Sequence, residues 1–97
     1  MREWLREELT SVVESLTAAY LFGSALRLDK APRDVDVILV SVDNAGEPEW
    51  RRLREWRDEV VARFIERFGI PLSAMVVTPA EWREIDGAIV REREALI

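Results

Sequence analysis

Two short segments carry the residues best suited to chemistry. One is Gly23-Ser24, and the other, after nine intervening residues, is Asp34-Val35-Asp36. Alternate residues of a strand point to the same face, with about 6.6 Å between their Cα atoms. At the head of a strand, Asp34 and Asp36 therefore project together and can converge on one cation. Two acids on an otherwise apolar strand are costly unless something compensates their charge. A divalent ion does so, and magnesium suits the pattern because it takes one or two carboxylates plus substrate phosphates and water. Gly23 lets a phosphate approach the backbone closely. Ser24 adds a hydroxyl and an N–H, and a helical turn after it would aim further N–H groups at an anion. Taken singly, a Gly-Ser is most often a turn and an Asp-x-Asp most often a solvated strand edge. Their order, between two strands, favours the functional reading.

Other chemistries are excluded by composition. The chain has no cysteine and no histidine. That removes disulfides, thiolate and imidazole metal sites, a cysteine nucleophile and any Ser-His-Asp triad within the chain. What remains is carboxylates, hydroxyls, Arg, Lys30, Tyr20 or a metal bound through oxygen. The net charge of −5 disfavours nonspecific binding to nucleic acid, which depends on neutralising phosphates. No apolar run is long enough to span a bilayer, and the start of the chain lacks the apolar stretch of a signal peptide, so a cytoplasmic location is expected.

The elements that must position these residues follow from periodicity. Leu5, Leu9, Val12, Val13 and Leu16 predict a helix over 2–16. Residues 18–22 form a short apolar strand ended by Gly23-Ser24. Residues 25–28 fit a helical turn and 29–33 a polar loop broken by Pro32. Residues 35–42 make the best strand in the sequence, central and covered on both faces, but polar on one face where it begins. A long helix over about 49–68 ends at Gly69. Its many arginines alternate with acids, which reads as a solvated, salt-bridged face. Residues 71–78 predict a third strand. Thr78, Pro79 and Glu81 then supply the N-cap, the N1 proline and the capping box of a last helix whose apolar face is Trp82, Ile85, Ile89 and Leu96. Trp50 and Trp82 are expected in the core. Trp4 and Trp56 are expected at the margins of their helices, with an interface to another chain as the sharper alternative. The whole, 1–97, reads as one α+β domain with helices on a small mixed sheet.

Residues 20–40, YLFGSALRLDKAPRDVDVILV, resemble the signature of the DNA polymerase β-like nucleotidyltransferases: an apolar strand ending in Gly-Ser, a spacer of about ten residues, and Asp-x-Asp among apolar residues. The chain is most similar to the minimal nucleotidyltransferases, small proteins of about this length. The resemblance implies two-metal phosphoryl transfer, in which a nucleoside monophosphate, AMP from ATP, passes to a hydroxyl on a partner protein or small molecule. It implies that Gly23 and Ser24 hold the triphosphate, that Asp34 and Asp36 bind Mg2+, and that Arg27 contacts a phosphate. Minimal members are often paired with a helical partner of the HEPN type, as antitoxin and toxin. A helical partner or a homo-oligomer is therefore expected.

Two departures from the family pattern stand out. Leu28 occupies a position where the family often has glycine. The third predicted strand contains no Asp or Glu, whereas active members carry a third carboxylate there. Ser73 or Met75 holds that position. By composition alone Asp43, Glu81 and Asp86 are the other candidates, with Glu81 read as a cap and Asp43 placed at the far end of its strand. The alternative expectation is a catalytically impaired subunit or antitoxin that keeps the fold and acts by binding its partner.

Overall fold

The computed structural model describes residues 1–23, 33–86 and 92–97. Helix α1 (Arg2–Leu9) runs into a 3-10 helix (Thr10–Ser15), followed by strands β1 (Leu16–Phe22) and β2 (Val35–Ser41). Helix α2 (Pro48–Phe68), strand β3 (Leu72–Val77), helix α3 (Pro79–Ile85) and strand β4 (Arg93–Ala95) complete the chain. The sheet order is β3-β2-β1-β4. β1 pairs antiparallel with both β2 and β4, and β2 pairs parallel with β3, so the sheet is mixed as expected.

β2 is central and nearly fully buried. Val35, Val37 and Leu39 face the main core with Leu5, Leu9, Leu53, Val60 and Phe64, from α1 and α2. Ile38 and Val40 face the other way, toward Val77, Tyr20, Phe22, Trp82 and Ile85. One face of the sheet thus lies under α1, the 3-10 helix and α2, and the other under α3.

Three predicted boundaries change. The first helix tightens at Thr10, where the hydroxyls of Thr10 and Ser11 donate to the carbonyls of Glu7 and Glu8 at 2.6 and 3.0 Å. Such back-bonding competes with the α-helical ladder, and the β-branched pair Val12-Val13 adds little to it. Leu16 accordingly opens β1 instead of closing the helix. The last helix stops at Ile85, and β4 appears where the helix was expected to continue. Leu96 lies beyond β4, buried, with its N–H donating to the Ala19 carbonyl at 2.8 Å. The predicted turn over 25–28, most of the loop over 29–33 and Ile89 lie outside the described residues.

Both helix-capping signals are found as read. Gly69 caps α2 with φ 72°, and Thr78 and Glu81 form the reciprocal capping box of α3. The buried stripe of α2 is Leu53, Trp56, Val60 and Phe64. Trp56, expected at the margin, is in the core. Trp50 and Trp82, both expected in the core, are half-buried, Trp50 under the Arg54 guanidinium, 4.7 Å from its ring centre. Among the described residues no helix is long and apolar enough to cross a membrane.

Candidate functional site

β1 ends at Phe22, which stands opposite Asp36 in the β1–β2 register. Gly23 follows with φ +80°, a conformation that side chains rarely adopt. The Asp36 carboxylate rests against this glycine: a Cβ added there would sit 2.8 Å from Asp36 Oδ2. Gly23 therefore does two things, turning the chain and making room for the acid. On its other side Asp36 is in register with Ser73 of β3. Register partners share a face, so Ser73, Asp36, Phe22 and Arg93 form one row across all four strands.

Asp34 is exposed just before β2, and Asp36 is half-buried at its start. Burial, and then the charge of Asp34, push the Asp36 carboxyl above the ordinary carboxylate pKa. The two acids are thus close enough to repel each other, and their site disfavours its own negative charge. That is the electrostatic condition under which a cation binds and restores the ionised form. Two carboxylates are too few to enclose a metal without help, and among the described residues no group of three or more acids could hold one. The donor set fits an ion such as Mg2+ that arrives with phosphate and water ligands.

The structure sets Asp36 against Gly23, with Asp34 close enough to act on Asp36 through its charge. Ser24, Arg27 and Leu28 lie outside the described residues. The register selects Ser73 over Met75 as the β3 residue beside Asp36, since Met75 pairs with Ile38. The other candidate acids are occupied elsewhere. Asp43, at the opposite end of β2, accepts the N–H groups of Glu49 and Trp50 at 2.9 and 2.8 Å and caps α2. Glu81 caps α3. Asp86 pairs with Arg93. Arg93 escaped the sequence reading because Arg93-Glu94-Ala95 has helix-forming composition and no alternating pattern, so nothing local marks it as a strand on the face that carries Asp36.

No protein-family model matches the chain, and no curated protein does. A solved structure described as "putative nucleotidyltransferase" superposes with a TM-score of 0.55 at 20% sequence identity, covering 98% of this chain and 96% of that one. Agreement over nearly the full length of both chains concerns the whole arrangement of helices and sheet, not a shared fragment. The chain has the nucleotidyltransferase fold.

Proposed function

We propose that this chain binds a nucleoside triphosphate with Mg2+ at Gly23, Asp34 and Asp36, and transfers its nucleotidyl group to a hydroxyl acceptor. The observation that supports this reading is the seat of the Asp36 carboxylate on Gly23, which puts an acid of the second motif against the glycine of the first. Asp34 and Asp36 would hold the divalent ion, which when bound supplies positive charge against the phosphates. Gly23 keeps the backbone low enough for the triphosphate to lie beside the acids, with Ser24 and Arg27 as further phosphate contacts. In the transfer, the acceptor oxygen bonds the α-phosphorus, the α–β anhydride bond breaks, pyrophosphate leaves and the hydroxyl proton passes to solvent. ATP is the proposed donor and AMP the group moved.

A second reading has its own observation. Ser73 stands in register with Asp36, and a serine cannot supply a metal-binding carboxylate or a base of comparable strength. On this reading the chain binds Mg–ATP without turning it over, and serves as an antitoxin-like subunit for a helical partner of the HEPN type or for a second copy.

One experiment separates the two. The chain is incubated with α-labelled ATP, Mg2+ and a co-expressed neighbouring gene product, beside Asp36→Asn. Label transferred by wild type and lost in the variant supports the transferase. Mg2+-dependent ATP binding without transfer supports the subunit. Absence of Mg2+-dependent binding overturns both.

A further inference from the structure

The face that carries Asp36 also carries an aromatic cluster outside the acid site. Tyr20 of β1 and Trp82 of α3 stack with ring centres 5.0 Å apart and planes 20° from parallel. The Arg93 guanidinium lies 4.8 Å from the Tyr20 ring centre and 5.2 Å from that of Trp82, and its ion pair with Asp86 fixes it there. The cluster shares the face of Asp36: Arg93 lies two strands from Asp36 along the row through Phe22, and Tyr20 lies one strand over in the next row, opposite Ile38. Successive rows on one face are about 6.6 Å apart.

Packing alone leaves this cluster unfinished. α3 has no buried residue, and Tyr20, Phe22 and Trp82 are all half-buried. Two large rings and a cation are thus partly uncovered on the same face of the sheet as an acid read as binding Mg2+ and phosphates. A flat heteroaromatic ring would complete the surface, stacking on an outer face of the pair while guanidinium donors other than the one given to Asp86 meet its ring acceptors. One strand over and one row along, Tyr20 stands about 8 Å from Asp36 between Cα atoms, a span that a ribose bridges between phosphate and base. We propose that Tyr20, Trp82 and Arg93 form the subsite for the nucleobase of the triphosphate whose phosphates lie at Gly23 and Asp36. This inference rests on the nucleotide-binding reading above and adds to it a contact for the base.

The test compares Mg–ATP with Mg–inorganic triphosphate by titration calorimetry, on wild type, Trp82→Ala, Trp82→Phe and Arg93→Gln. Wild type is expected to prefer ATP by about 10-fold, the scale of one base–aromatic stack. Trp82→Ala should erase most of that preference while leaving triphosphate affinity unchanged, and Trp82→Phe should restore part of it. Should Trp82→Ala fail to fold, Arg93→Gln is expected to reduce the same preference. Equal wild-type affinity for ATP and triphosphate, with triphosphate binding still lost in Asp36→Asn, overturns the base subsite and leaves the phosphate site standing. An equal loss of both ligands in Trp82→Ala or Arg93→Gln also overturns it. Wild type that binds neither ligand overturns both inferences.

Discussion

Gly23, Gly46 and Gly69 all adopt positive φ, but a Cβ on Gly46 or Gly69 would meet nothing within 4 Å. On Gly23 it would meet the Asp36 carboxylate. Gly23→Ala is therefore expected to act twice. The backbone conformation should cost about 1–2 kcal/mol of stability, read from urea unfolding. The displaced carboxylate should weaken Mg–ATP binding by about 10-fold or more, read by calorimetry. Asp36→Asn separates the two effects. A carboxyl with a raised native pKa favours protonation in the folded state, so its charge works against folding at neutral pH. The asparagine variant should match or exceed the wild-type Tm at pH 7 without Mg2+ while losing Mg2+-dependent nucleotide binding. A lower Tm would mean that Asp36 is held for structural reasons. Gly23, Asp34 and Asp36 could be singled out because each motif is local. The seat of Asp36 on Gly23 could not, because it depends on the β1–β2 register.

At the scale of elements, β3 decides how complete the site is. It is the edge strand beside β2, and Ser73 is exposed in the row of Asp36. Ser73→Asp would place a third carboxylate in register with Asp36, where like charges repel, and should lower stability without Mg2+ by up to about 1 kcal/mol. We expect tighter Mg2+ binding and, if the wild-type chain is short of an acid, at least about a 10-fold gain in label transfer from ATP. Unchanged Mg2+ affinity would show that β3 does not border the metal position. Elements with strong local signals were readable: β2 from its unbroken apolar run, α2 from its period and Gly69, and the start of α3 from Thr78, Pro79 and Glu81. The early end of the first helix turned on hydroxyl groups that bond backward to Glu7 and Glu8. β4 could not be read, because its three residues gain strand structure from the β1 edge rather than from their own composition.

Across the whole molecule, the sheet is covered unequally. The main core holds Phe64 fully buried, with Trp4 edge-on at 5.7 Å and Phe68 tilted by 43° at 4.7 Å between ring centres. Phe64→Ala should cost about 3–5 kcal/mol. Against a total of about 5–15 kcal/mol for a typical native protein, that is enough to lower the urea midpoint sharply or to leave the chain partly unfolded at 37 °C. The smaller cluster under α3 contributes less to stability, and it is the side that carries the acids. β2 connects these concerns through the aspartates at its two ends. Burial alone would raise the Asp43 carboxyl as well, but the Ser41 hydroxyl and the N–H groups of Glu49, Trp50 and Asp43 itself outweigh it and hold the group below the ordinary carboxylate pKa. A lowered native pKa contributes stability above the unfolded value that is lost only as pH falls through the lowered one. Asp36 behaves in the opposite sense and takes up its proton first. During an acid titration, Mg–ATP affinity should therefore collapse at a higher pH than the Tm, and coincident losses would contradict this. Mild acidity would disarm the protein while sparing its architecture, and neutralisation would return it to service without refolding.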